Sequence, residues 1–293
     1  MARSGGVWAG VVFGGAAIGA VIGTAYFVSN NHPVSHDNTC VVTAQDGGTY
    51  VRTAEAANNA ALVAATGERR GMSTSASTVA VATAIQESGL RNLDYGDRDS
   101  LGLFQQRPSQ GWGTAEQISD PHYSTNLFYR RLKKIEGWEQ MRVTEAAQAV
   151  QRSGFPEAYE DHADEAAAWA TAIRGDSPFA SVDCDLDAAD GVNTAQAFVE
   201  RIEADYGHYK YSVMVLARND RAVLLGITAK SGEAKDLDAI ANWSVAVADE
   251  ESVASVRFGH VQWIRQQGVL AATTGAEQFD GVRVGLVTAL PAD

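Results

Sequence analysis

Residues 84 to 113, AIQESGLRNLDYGDRDSLGLFQQRPSQGWG, hold the densest set of side chains able to move protons. Glu87 closes a helical run that is apolar at Val79, Val81 and Ile85, and Gly89 stands where a helix terminator is expected. A carboxylate there meets the partial negative charge of a helix C-terminus and apolar neighbours that resist ionisation, so its pKa is expected to rise. A carboxyl of raised pKa is a proton donor near neutral pH. Asp94, Asp97 and Asp99 follow in a polar loop, before Leu-Gly-Leu-Phe-Gln at 101 to 105 returns the chain to an apolar segment. One carboxyl in an apolar pocket and another in a solvated loop is the division of roles that glycoside hydrolysis uses. Two plainer readings stand beside it: Glu87 as a solvated surface residue, and the aspartates as a turn network bonded to nearby backbone.

Alanine-rich helices must position these groups. Helical patterning covers Thr53 to Thr66, Ser75 to Glu87, Asn126 to Ile135, Val143 to Arg152 and Asp161 to Ile173, with almost no strand signal between Cys40 and Cys184. From Asn193 the texture changes. A helix to Tyr206 precedes the β-branched runs SVMVLA and AVLLGITA, separated by the turn-like Arg-Asn-Asp-Arg; a helix from Asp236 to Ala248 and the runs VASVRF and VRVGLV complete the pattern. The expected fold is an N-terminal transmembrane helix, a mainly α domain over residues 39–185 and a small α+β domain over residues 190–293.

The transmembrane expectation rests on Val7 to Val28, 22 residues without a charged side chain. At about 1.5 Å per residue they cross a hydrocarbon core of about 30 Å. Arg3 and the terminal amine are the only charges before them, which keeps the N-terminus cytoplasmic and sends the chain from residue 29 outside. Residues 1–38 then form a cytoplasmic stub, a single-pass cell-membrane anchor and a linker; cleavage after Ala25 is the alternative, disfavoured by the length of the run. Glycines at 10, 14, 15, 19 and 23 put small residues four apart, a spacing open to a homodimer through this helix. In an oxidising compartment Cys40 and Cys184, each beside a polar segment, are placed to close one domain by a disulfide; two unpaired thiols are the alternative.

Composition removes other classes. The 293 residues are 45% apolar and 20% charged, too apolar for disorder. The net charge of -13 divides as -6 over residues 39–184 and -7 over 185–293, and gives no basic face for a nucleic-acid partner. Two cysteines cannot build a four-cysteine zinc site, and Pro33 breaks the helix that His32 and His36 would need to share a metal, so no metal or other cofactor is expected.

The segments QESGL at Glu87-Ser88, Gly-Asp-Arg at 96 to 98, and Gly102-Leu103-Phe104-Gln105 together resemble the lysozyme-like superfamily, in particular lytic transglycosylases and goose-type lysozymes. The wider stretch through SQGWGTAEQISDP and AVQRSGFPEAYEDH is similar to a group of actinobacterial secreted proteins that bear such a domain. The resemblance covers residues 40 to 184 and implies a lysozyme-like domain that cleaves peptidoglycan glycan strands between N-acetylmuramic acid and N-acetylglucosamine. Glu87 takes the place of the catalytic acid. In a transglycosylase it then acts as base while the sugar's C6 hydroxyl attacks, leaving a 1,6-anhydro end; in a lysozyme water attacks, and Asp97 becomes the extra carboxylate. The non-hydrolytic route is slightly preferred. Ser88, Tyr95, Gln105, Gln106, Trp112, Gln151 and Tyr159 are the candidate substrate-binding residues.

The chain departs from the family at a third motif, Ala-Tyr-Asn followed by Gly, where it reads AVQRSGFPEAY; Gln148, Gln151 and Tyr159 are the available substitutes. A reading from another class is therefore carried alongside: a catalytically inactive module that binds peptidoglycan or scaffolds an envelope assembly. Tyr95, Phe104, Trp112, Tyr129 and Trp138 divide evenly between a sugar-stacking cleft and core. Arg130, Arg131, Lys133 and Lys134 read as one solvated helix face, with contact to anionic wall polymer as a secondary role. Residues 190–293 carry no catalytic constellation and are expected to be accessory, holding the wall, docking an envelope protein partner or positioning the N-terminal cleft, with Trp243 and Trp263 as core anchors or contact surface.

Overall fold

Thr39–Thr43 (β1) and Thr49–Thr53 (β2) pair as an antiparallel hairpin. Its turn places Gly47 at φ +90°, and the Asp46 carboxylate accepts the Gly48 N–H at 2.9 Å. Val182–Asp185 (β3) returns along the other edge of β1 in a register that sets Cys184 opposite Cys40, and a disulfide joins the two.

Between these strands lie the helices. Ala54–Arg69 (α1) is capped by Thr53, whose hydroxyl accepts the Ala56 N–H at 3.2 Å, and it is buried along nearly its whole surface. Its many methyl side chains let neighbouring helices approach closely; at Gly67 a Cβ would come within 2.5 Å of Ser77 Oγ and Tyr129 Oη. Thr74–Ser88 (α2) starts at the Ser73 cap and stops where Gly89 turns left-handed at φ +66°. Ala115–Ser119 (α3) and Pro121–Leu132 (α4) share a corner in which Asp120 caps α4, while Val143–Gln151 (α5) and Ala163–Ile173 (α6) pack on α2. Phe104, Phe128, Tyr129 and Trp169 are fully buried among them, with Phe104 and Phe128 stacked at 4.8 Å.

The remaining elements are Ala195–Tyr206 (α7), Tyr211–Arg218 (β4), Ala222–Ala229 (β5), Ala234–Ala246 (α8), Val253–Phe258 (β6), Val261–Ile264 (β7), Gly268–Ala271 (β8) and Val282–Val287 (β9). Their strands form one antiparallel sheet in the order β4-β5-β9-β6-β7-β8. The expected turn at 218 to 221 lies between β4 and β5, held by Asn219, whose side chain accepts the Arg221 and Ala222 N–H groups at 2.9 Å. Helix α8 packs on α6, β3 and the sheet, and α7 packs on α1. Trp243 and Trp263 are fully buried core anchors, with their indole N–H groups on Asp205 at 2.8 Å and the Cys184 carbonyl at 3.2 Å.

The computed structural model describes residues 36–191, 193–271 and 279–287, and all of them fall in one compact unit. The expected fold class is overturned. The chain is α+β, with the β2-β1-β3 sheet inside the segment read as mainly α and a six-stranded antiparallel sheet beyond it. Strands of four or five residues flanked by long alanine-rich helices carry too few alternations for a period of two to register. Among the described residues no helix is long and apolar enough to cross a membrane; Val7 to Val28 lies outside them, as does the glycine pattern read for pairing.

The α7 face holds a buried ionic cluster. Asp205 accepts from Arg201 at 3.0 Å and from Trp243, while Glu251 accepts from Asn193 at 2.6 Å and lies 3.5 Å from Arg201. Burial pushes the Glu251 carboxyl up to about 7, against the pull of Arg201 and with Glu250 and Asp205 adding to the rise. A folded pKa above the unfolded one favours the folded state at low pH, and this contribution fades as pH climbs from about 4.5 to about 7. The melting temperature of Glu251→Gln minus that of the parent should therefore rise across this window in a calorimetric series. Taking the difference cancels the opposite contributions of His122 and His162, whose pKa values burial lowers.

Candidate active site

Glu87 occupies the last turn of α2, half-buried, and its Oε1 accepts the Tyr159 hydroxyl at 2.6 Å. Removal from water raises its pKa, while hydrogen bonds from Tyr159 and Gln151 oppose the rise without reversing it. Tyr159 is fully buried, and burial together with the adjacent carboxylate pushes its own pKa up, so it remains a donor throughout the working range of pH. Gln151, at the end of α5, also donates to the Phe104 carbonyl at 2.8 Å, and its Oε1 is buried with no partner among the described residues. An unmet buried acceptor costs about 1–3 kcal/mol, so a donor arriving beside Glu87 is favoured there.

The stretch AVQRSGFPEAY carries Tyr159 to Glu87. Arg152 ends α5 in a left-handed conformation at φ +57°, and the loop that follows folds back over α5. Gln148 bonds both the N–H and the carbonyl of Ser153, at 3.1 and 2.9 Å. The Thr144 hydroxyl donates to the Pro156 carbonyl, and its N–H donates to Glu160 at 3.1 Å. These bonds deliver Tyr159 to Glu87 from outside the expected position. Nothing in the sequence flags Thr144 as the anchor of that loop, because its partners depend on the tertiary fold.

The segment from Arg91 to Arg107 contains a tight turn closed by paired backbone bonds between Leu101 and Gln106, both 3.0 Å. The Ser88 hydroxyl donates to the Leu103 carbonyl at 2.8 Å and so fastens this loop to the end of α2. Gly102, at φ +76°, lies so near the Ile118 carbonyl that a Cβ would come within 2.7 Å of it. At Gly96 a Cβ would come within 1.9 Å of Gln105 Oε1, and the Gln105 amide donates to the Tyr95 carbonyl at 3.2 Å. The glycines of the two motifs are there to let loop and glutamine side chain interlock.

The candidate residues separate into different roles. Ser88 and Gln106 are both buried, Ser88 bonded to the Leu103 carbonyl at 2.8 Å and Gln106 to the Ser124 carbonyl at 3.2 Å, and both hold the loop in place. Asp97 is 86% exposed and meets only Arg98, at 3.8 Å, among the described residues. Asp99 is the structural member of the trio. It accepts from Arg107, the Ser109 N–H and the Ser109 hydroxyl at 2.8, 2.8 and 3.0 Å, which holds its carboxyl well below the usual range. Tyr95 is exposed, as is Phe155, which the sequence reading passed over, while Phe104, Tyr129 and Trp138 belong to the core. Trp112 is nearly buried because the Arg131 guanidinium covers its ring at 3.4 Å.

Compared with known proteins, the chain matches no family model and no curated protein. Function must then be argued from Glu87 and its neighbours. Tyr159→Phe removes the strongest support of the ionised carboxylate, so the pKa of Glu87 should rise further. If Glu87 acts as a general acid, the alkaline limb of a kcat/KM profile should move to higher pH, with a rate loss of about tenfold. A lost side chain that mattered only for packing would lower the rate without moving that limb.

Proposed function

We propose that this chain cleaves the glycan strand of peptidoglycan with Glu87 as general acid, by the non-hydrolytic lytic transglycosylase route. The observation that carries the reading is the half-buried Glu87 carboxyl, raised by desolvation and bonded to the Tyr159 hydroxyl at 2.6 Å. Proton donation to the glycosidic oxygen leaves Glu87 ionised, and the same carboxylate then takes the proton of the attacking C6 hydroxyl. Tyr159 supports the anionic stage and Gln151 holds the carboxyl against the Phe104 backbone. The exposure of Asp97 beside Arg98 favours this route over water attack, which calls for a second carboxylate close to the reacting carbon.

Export of the described residues is part of the reading, supported by the Cys40–Cys184 disulfide, a bond that persists in oxidising compartments. Residues 190–293 serve in it as an accessory region. The test is mass spectrometry of fragments released from purified peptidoglycan by the full chain. Anhydro-ended fragments are expected. Reducing ends instead would make the chain a lysozyme, and no release by a folded chain that still sediments with the wall would make it a silent binding module.

A further inference from the structure

Next to Glu87, and sharing Gln151 with it, lies a pocket of about 500 Å³ between the C-terminal ends of α4 and α5. Its wall includes Trp112, Arg131, Lys134, Val150, Gln151 and Arg152. Three cations thus converge on one concavity in a chain whose net charge is -13. Nearby, Arg107 is matched with Asp99 at 2.8 Å, and Arg142 with Glu145 at 3.1 Å and Glu157 at 3.3 Å, while among the described residues the exposed Arg130 and Lys133 are not. Among the described residues Arg131, Lys134 and Arg152 make no ion pair, and burial, with the charge of Arg152 adding to it, lowers the Arg131 pKa.

Two features hold this unmatched charge in place. The Arg131 guanidinium is fixed on the Trp112 ring and donates one N–H to the Gly111 carbonyl at 2.8 Å, so it is pre-set in direction. Arg152 occupies the left-handed position ending α5, where glycine or asparagine would cost about 1 kcal/mol less. The rim that carries Trp112 is itself anchored through Arg107 and Ser109 to Asp99, which gives the aspartate loop a purpose apart from proton transfer. Of the four basic residues of 130 to 134, Arg130, Lys133 and Lys134 are exposed and Arg131 is partly buried; Arg131 and Lys134 line the pocket, and Arg130 and Lys133 do not.

We propose that this pocket is an anion subsite that takes a carboxylate or phosphodiester substituent of the glycan strand and sets the strand against Glu87. The inference rests on the peptidoglycan reading and deepens it. A planar, pre-set guanidinium flanked by two flexible cations suits either oxyanion, because both offer paired acceptor oxygens.

The experiment uses the full chain carrying Glu87→Gln, so that binding is read without turnover, and measures its sedimentation with insoluble peptidoglycan in three forms. One is untreated, one has its carboxylates amidated with carbodiimide and ammonia, and one is stripped of phosphodiester-linked polymer with hydrofluoric acid. Removing the anion that fills the pocket should weaken binding about tenfold and remove most of its salt dependence. Loss on amidation identifies a carboxylate, and loss on stripping identifies a phosphodiester.

The added pair Lys134→Glu and Arg152→Glu should abolish the difference between forms, whereas Arg130→Glu with Lys133→Glu, an equal change of charge outside the pocket, should retain it. Lys134 is exposed, so Lys134→Gln alone tests the same point without risk to the fold, with an expected loss of about threefold. Equal binding to all three forms, no binding to any, or equal loss by both charge-reversed pairs overturns the subsite. Cleavage by the parent chain is followed in parallel. Turnover with no discrimination overturns the subsite and leaves the glycosidase; discrimination in binding with no turnover does the reverse.

Discussion

Glu87→Gln should lower the rate of glycan-strand cleavage about a thousandfold, within the span that a positioned general acid contributes. The substitution keeps the size of the side chain and an oxygen for the Tyr159 hydroxyl to reach, while removing the transferable proton. A second effect separates chemistry from damage. Because burial raises the Glu87 pKa, the parent loses stability as pH rises above the ordinary carboxylate range and through the folded pKa, and glutamine has no charge to desolvate. The variant should therefore melt at or above the parent temperature at neutral pH, with the gap closing as pH falls below about 4.5. A dead enzyme that is no less stable marks a residue kept for function. Cleavage at the parent rate by the glutamine variant would remove Glu87 from the chemistry, and a large drop in melting temperature would make it a structural carboxylate.

The site was legible in the sequence where its logic is local. Glu87 before Gly89 on an apolar run predicts a carboxyl at a helix end with a raised pKa, and the structure has both. The interlock of the loop with α2 was legible only as a pattern of glycines and glutamines; that Gly96 makes room for Gln105, and that Ser88 and Gln106 are fasteners, requires coordinates. Distant residues such as Tyr159 and Gln151 were legible as candidates, but not the contacts that they make. Tyr159 lies 72 positions from Glu87, and its place depends on Thr144 and Gln148 holding a loop whose composition reads as irregular. The fold failed for a related reason. Helices announce themselves over three or four turns, whereas β1, β2 and β3 are short and are specified by pairing across the chain, as β7 and β8 are by their hairpin. The cysteines were the one sign that residues near 40 and 184 meet.

That meeting carries the second large expectation: replacing Cys40 and Cys184 together by serine should destabilise the chain by about 4–5 kcal/mol. The bridge spans a sequence separation of 144 residues, and the entropy that a cross-link removes from the unfolded chain grows with the logarithm of that span. The bonds that remain at this seam, Asn38 with Asp187 at 2.8 and 2.9 Å, the Thr43 N–H on the Ser181 carbonyl at 2.8 Å and the Arg52–Glu165 ion pair, form only in the folded chain and do not replace a constraint on the unfolded one. β1 runs directly into the β2 hairpin and α1, β3 follows α6, and the pairing of β1 with β3 covers only Thr39 to Val42. β3 also joins this seam to the second sheet, since Trp263 donates to the Cys184 carbonyl and α8 packs on β3. For a folded unit of this size the loss corresponds to a fall in melting temperature of about 10–20 °C. Reduction of the parent with dithiothreitol should reproduce it, and the serine pair should show no further response to reductant. A fall of only a degree or two would mean that the unfolded chain already holds β1 near β3, and the stability of the helices carrying Glu87 would then have to come from their alanine-lined contacts alone.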